Sequence, residues 1–167
     1  MHELIVDSLT IDFLAEKIEM KQFLKVLCVT ALLFAQAAIA GKPEVEHYAV
    51  SADMQLPFSE AVRVGHMLYL SGQIGIDPAT SKLAEGGIKA ETRQTMENIK
   101  ASLEKYGSSM AEVVKCTVFL ADISEWATMN EVYVTYFPAK PPARSALGTS
   151  GLALGARTEI ECMATVQ

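Results

Sequence analysis

From Ile88 to Tyr106, apolar or methyl-bearing side chains fall at Ile88, Thr92, Thr95, Met96, Ile99, Leu103 and Tyr106. Lys89, Glu91, Arg93, Glu97, Lys100 and Glu104 fill the other faces. That spacing predicts an amphipathic helix, and Gly107 is a natural stop for it. A second helix is predicted through Trp126, Met129, Tyr133 and Phe137, capped by Asp122 or Ser124 and ended by Pro138. Thr158 to Val166 alternates instead: Thr158, Ile160, Cys162, Ala164 and Val166 share one face, while Glu159, Glu161, Met163 and Thr165 share the other. Val113 to Leu120 reads as a buried strand and Ala143 to Leu147 as another. Ala61 to Gly72 reads as a hairpin turning at Gly65-His66, and Asp77-Pro78-Ala79-Thr80-Ser81 as a further turn.

The order is strands, helix, strand, helix, strands, without repeat or internal linker, so the expectation is one α+β sheet covered by two helices on one face. The other sheet face is then left bare, and burying it against copies of the same chain makes an oligomer the natural expectation.

The first forty residues carry a different pattern. Lys21 and Lys25 precede an apolar run, Val26 to Ala35, that leads to Ala38-Ile39-Ala40 and Gly41. Basic start, apolar middle and small residues at the cleavage positions are the order of a secretory signal peptide. The run is shorter than the roughly 20 residues a membrane span needs, and Cys28 stands at the wrong end of it for a lipidated terminus. Residues 1–19 hold five acids against one lysine, an odd prelude to a leader, and Met20 is the better start. The reading is therefore residues 1–19 as an untranslated or disordered extension, 20–40 as signal peptide, and 41–167 as the working domain. The expected location is exported, most simply periplasmic.

Charge narrows the partners. The formal net charge is -6 for the whole chain, and no Lys/Arg run could neutralise several phosphates, so nucleic acid is not expected as a partner. The three cysteines and three histidines show no metal-ligand spacing, and no metal is expected. Cys116 and Cys162 each fit a buried strand position as a free thiol, the preferred reading, although export would also permit a disulfide between them.

Ser71 lies between Leu70 and Gly72, with no Gly-x-Ser-x-Gly elbow, and Gly72-Gln73-Ile74-Gly75 lacks phosphate-loop spacing. Arg144, after Pro141-Pro142-Ala143, and Glu161 on the last strand remain as candidate chemistry. A guanidinium matches a carboxylate with two parallel hydrogen bonds, and a glutamate can orient or activate water. Both also fit an ordinary surface, Arg144 in a salt bridge and Glu161 beside Glu159 on a solvated face.

Four segments together resemble the Rid (RidA/YjgF) family of imine deaminases: Leu56-Pro57-Phe58-Ser59-Glu60-Ala61-Val62; Ser71-Gly72-Gln73-Ile74-Gly75; Trp126-Ala127-Thr128-Met129-Asn130-Glu131-Val132-Tyr133; and Pro142-Ala143-Arg144-Ser145 with Glu159-Ile160-Glu161. The resemblance implies a chorismate-mutase-like (YjgF-like) mixed sheet, a homotrimer with sites between subunits, and hydrolysis of 2-imino acids and enamines of the 2-aminoacrylate type to 2-oxo acids and ammonia, without a cofactor. It implies that Arg144 takes the substrate carboxylate, that Ser71 and the Gly72 backbone contact substrate, and that Glu161 holds the attacking water. Asn130 would help form the cleft. Ala146 stands where the family often has cysteine, and Phe58 where deaminating members have tyrosine, so Phe58 offers an apolar wall but no hydroxyl. Ser81 replaces a glycine common in the family's turn. The competing expectation is an exported small-carboxylate binder or chaperone-like protein without turnover. A ribonuclease, as some relatives have been labelled, fits the acidity poorly.

Overall fold

The computed structural model describes residues 16, 17, 19–23, 25, 41–51 and 56–166. The chain divides into two compact units, Met1–Pro43 and Glu44–Gln167. In the first, residues 16, 17, 19–23 and 25 are helical. The apolar run and the Ala38-Ile39-Ala40 motif of the expected leader lie outside the described residues. No helix among the described residues is long and apolar enough to cross a membrane.

The second unit is built on one mixed sheet. Its strands are β1 (Val45–Tyr48), β2 (Ala61–Val64), β3 (Met67–Leu70), β4 (Gln73–Ile74), β7 (Val113–Leu120), β8 (Ala143–Gly148) and β9 (Thr158–Thr165). The order is β1-β2-β3-β9-β7-β8, with β4 also paired to β9. Only β7 and β8 run parallel. A separate two-stranded ribbon joins β5 (Ile76–Asp77) to β6 (Lys82–Leu83) through the expected Asp77–Ser81 turn. There the Asp77 carboxylate accepts from the Ala79 N–H, and Ser81 adopts φ 57, the left-handed conformation that glycine takes at no steric cost.

The first predicted helix is α1 (Ile88–Lys105), and its expected stripe is the buried one: Ile88, Thr92, Thr95, Met96, Ile99 and Leu103. Glu91, expected on a polar face, is buried as well, because its carboxylate accepts the Arg157 backbone N–H at 2.8 Å. The second helix is shorter than predicted. A 3-10 turn at Ile123–Glu125 leads into α2 (Trp126–Tyr133), and another turn, Val134–Tyr136, replaces its last stretch. The Asp122 side chain caps the entry at Ser124 N, whereas the Thr135 hydroxyl bonds the Val132 carbonyl where an α-helix would continue.

The core joins Met96, Ile99 and Leu103 of α1 and Met129 and Tyr133 of α2 to Leu68, Val118, Leu120, Ile160 and Ala164 of the sheet. The alternation along β9 thus turns its Ile160 face to the helices, as expected. The opposite face leaves Val45, Tyr69 and Leu147 exposed.

Cys116 and Cys162 stand directly opposite each other in the β7–β9 ladder, both buried, and are joined in a disulfide. The preferred free-thiol reading is therefore corrected: side chains facing each other on one side of an antiparallel pair are close enough to bond. The bond closes a 46-residue separation, for which chain-entropy arguments give about 4 kcal/mol. The Cys116→Ala/Cys162→Ala double variant should therefore lower the urea midpoint by about 2 M. An unchanged midpoint would show that the bond does not form.

Candidate functional site

β9 serves as template for two strands in succession. Met67–Tyr69 of β3 pair with its distal half and Gln73–Ile74 of β4 with its proximal half. Between them Ser71 and Gly72 leave the strand geometry. Ser71 is fixed there by two bonds, its N–H donating to the Glu60 carbonyl at 3.0 Å and its hydroxyl to the Ser59 carbonyl at 2.6 Å. Its proton is thus committed to structure, while the oxygen can still accept.

At Gly72 an added Cβ would lie 1.9 Å from Oε1 of Glu159, so the carboxylate rests on the glycine α-carbon. Only glycine permits that approach. Gly72→Ala should fold, because the clash is mainly with the end of a flexible side chain, yet displace the carboxylate. We expect a thermal midpoint within a few degrees of the parent and a Glu159 side chain moved off the α-carbon of residue 72; a variant crystal structure with Glu159 unmoved would show that the glycine does not set its position.

Gly72 and Glu159 line an open groove of about 1070 Å³ with Phe58, Ser71, Glu60 and Lys105. Phe58 is 55 % exposed, forming apolar wall without a hydroxyl. Glu60 accepts hydrogen bonds from Ser102, Lys105 and Tyr106 at 3.0, 2.7 and 2.7 Å. Burial alone would raise its pKa, but the bonds from Lys105, Tyr106 and Ser102 outweigh it and hold the carboxyl below its ordinary 4.5. The resulting stabilisation is present above that ordinary value and is lost as pH falls through the depressed one. Glu60→Gln should lower the thermal midpoint by roughly 3–5 °C at pH 7 and hardly at all at a pH low enough to protonate the Glu60 carboxyl of the parent; a pH-independent difference would exclude ionisation as the cause.

Arg144 occupies a different surface. In the parallel β7–β8 register it pairs with Cys116, which puts it on the helix-facing side of the sheet. Its Nη1 donates to Oδ1 of Asn130 at 2.7 Å. The guanidinium carbon lies 4.6 Å from the Tyr133 ring centroid and 5.5 Å from that of Trp126. Ala146 pairs with Val118 and packs its methyl against the core, leaving backbone as its only polar offering.

The structure therefore divides the expected site residues. Phe58, Ser71 and Gly72 share the groove, Arg144 and Asn130 form a second cluster, and Glu161 belongs to neither. Glu161 pairs with Thr117 and lines a 140 Å³ hollow with Tyr69 and Lys115. The glutamate that reaches the groove is Glu159, which sequence alone did not single out. Period two puts Glu159 and Glu161 on one face and cannot choose between them. Gly72, a strand-end glycine open to close approach, was the available signal. Glu60 was likewise missed. Among the described residues no cluster of His, Cys, Asp or Glu could hold a metal ion.

A groove lined by Glu60, Gly72 and Glu159 and a separate arginine backed by two aromatic rings are thus carried on one mixed sheet under two helices, a small α+β architecture. Residues 49–166 match the family model described as Endoribonuclease L-PSP. A RutC family protein of Pyrococcus horikoshii is 47% identical over 108 residues, 65% of this chain and 86% of that one. A mouse protein named 2-iminobutanoate/2-iminopropanoate deaminase is 43% identical over 108 residues, 65% of this chain and 80% of that one. The crystal structure of RidA from an Antarctic Psychrobacter superposes with a TM-score of 0.64 at 38% identity, covering 75% of this chain and 99% of that one. The chain belongs to the YjgF/RidA (Endoribonuclease L-PSP) family.

Proposed function

We propose that this protein hydrolyses reactive 2-imino acids and their enamine tautomers to 2-oxo acids and ammonia. The observation that carries the reading is Glu159 lying against Gly72 in the groove, together with an arginine that keeps donors for a carboxylate. An imine carbon is already electrophilic, so the reaction needs one water and proton transfers. Glu159 takes a proton from water as its oxygen adds to the C=N carbon and passes that proton to the nitrogen, giving a carbinolamine; the hydroxyl proton then moves by the same carboxylate to the nitrogen, and the C–N bond breaks as the C=O bond forms, releasing ammonia and the 2-oxo acid. The water-positioning role, first expected at Glu161, fits Glu159 better because Glu161 lines a different hollow.

Arg144 and Glu159 face opposite sides of the sheet, so one chain cannot bring both to a three-carbon substrate. That division supports a site between subunits of a homotrimer, with Arg144 and Asn130 from one copy completing the Phe58–Ser71–Gly72–Glu159 groove of the next. The exposed Val45, Tyr69 and Leu147 on the open face favour such association. An exported location agrees with the Cys116–Cys162 bond, since disulfides persist in oxidising compartments. RNA cleavage, suggested by the family's description, suits the groove poorly, because Glu60 and Glu159 outnumber Lys105 there.

The test is direct. Imine generated from alanine or 2-aminobutyrate by an amino acid oxidase should release ammonia faster with the protein present; no acceleration at any protein concentration rejects the activity. Phe58, which cannot supply a hydroxyl, favours binding without turnover as the second reading. In that case calorimetry would detect saturable binding of pyruvate without deamination.

A further inference from the structure

Three residues of α2 converge on Arg144. Trp126, Asn130 and Tyr133 are spaced four and three apart, one stripe of a helix, and they supply an indole face, an amide oxygen and a phenol ring. Tyr133 is explained without Arg144: it is 3 % exposed, belongs to the core and stacks at a tilt on Phe137. Trp126 is not so explained, because 41 % of it remains in water, and a large aromatic at a helix start gains little from that placement. What it does contact is the guanidinium, within the distance at which a cation is held by a ring quadrupole. With Nη1 committed to Asn130, the other guanidinium donors have no acceptor among the described residues. Two rings and one amide therefore fix the orientation of the group while leaving donors for a ligand.

We propose that Trp126 is a positioning residue for Arg144, holding the guanidinium in the orientation that presents its open donors to a 2-oxo or 2-imino carboxylate. The role of that carboxylate rests on the function proposed above, whereas the stack itself does not. Trp126 is the single tryptophan of the chain, so its emission reports on Arg144 without labelling.

Two measurements test the stack and its use separately. In protein labelled with ¹⁵N-arginine, ring currents should displace the Arg144 Nε–H resonance. Trp126→Ala should move it toward the free-arginine position, and Trp126→Phe should keep most of the displacement. A resonance that is undisplaced, or indifferent to Trp126→Ala, overturns the proposal whatever the activity. Pyruvate titrated into the parent protein should change Trp126 emission saturably, and Arg144→Ala should remove that change. Trp126→Ala should raise KM for the imine, and Kd for pyruvate, about tenfold, with kcat within about threefold and Trp126→Phe restoring most of the loss. In an Arg144→Ala background, Trp126→Ala should cost nothing further in pyruvate affinity; an equal additional loss there would show that Trp126 acts independently of Arg144 and would likewise overturn the proposal. A displaced Arg144 resonance in a protein that neither binds pyruvate nor releases ammonia would sustain the stack and reject the deaminase reading instead.

Discussion

Arg144→Ala should bring ammonia release from an oxidase-generated imine down to the rate without protein, a fall in kcat/KM of at least about 10³. The size follows from what is removed. A guanidinium paired with a carboxylate by two charge-assisted hydrogen bonds is the strongest contact a three-carbon substrate can make, and truncating one member of such a pair costs about 2–5 kcal/mol, a factor of roughly 30 to several thousand. A small ligand has few other contacts to compensate, and misplacing the reacting carbon adds to the loss. Arg144→Lys keeps the charge but not the planar fork, and should recover less than about a tenth of the activity. Folding should survive both changes, because Arg144 lies outside the core cluster on the edge strand β8. Steady-state rates with the thermal midpoint measured beside them decide it; a folded Arg144→Ala protein with parental activity would remove the carboxylate anchor from the mechanism.

Arg144 also shows how far sequence could go. The prolines before it and the absence of a serine elbow or phosphate loop left it as candidate chemistry beside an ordinary surface role, and the helical stripe through Trp126 and Tyr133 was readable from spacing. That the stripe would close on Arg144 was not, because it depends on β8 pairing parallel to β7 with Cys116 opposite Arg144. The registers of β7 with β8 and β9 put Arg144 and Glu159 on opposite sheet faces, so within one chain they stand in two clusters rather than one. Long periodic elements such as α1, β7 and β9 were legible because many positions repeat one pattern. The two-residue strands β4, β5 and β6 carry no period, and residues of β4 and β5 line the groove beside Gly72. The Cys116–Cys162 pairing was open for a similar reason: both positions read as buried, but only the cross-strand register puts them face to face.

The two glutamates of β9 give the sharper discrimination. Glu159→Gln should lower kcat by about 10² to 10⁴, the range expected when a positioned general acid–base is lost, while Glu161→Gln should stay within about threefold of the parent. The substitution keeps shape and hydrogen bonding, so the amide that replaces the Glu159 carboxylate could still hold a water against Gly72 but could not accept its proton. KM should change little in either variant, because neither glutamate is assigned to the substrate carboxylate. The contrast is informative because the residues are two positions apart on one strand face and differ in where their side chains lie: Glu159 on the α-carbon of Gly72 within the groove, Glu161 beside Thr117, Tyr69 and Lys115 in a separate hollow. If Glu161→Gln proved the inactive one and Glu159→Gln the silent one, association between copies would have to rearrange the open face enough to carry Glu161 into the reacting position. The close fit of Glu159 to Gly72 would then be packing alone. Equal losses in both would point instead to a shared electrostatic field across that face, and Glu159→Asp, which keeps the charge but withdraws it from Gly72, would separate field from position.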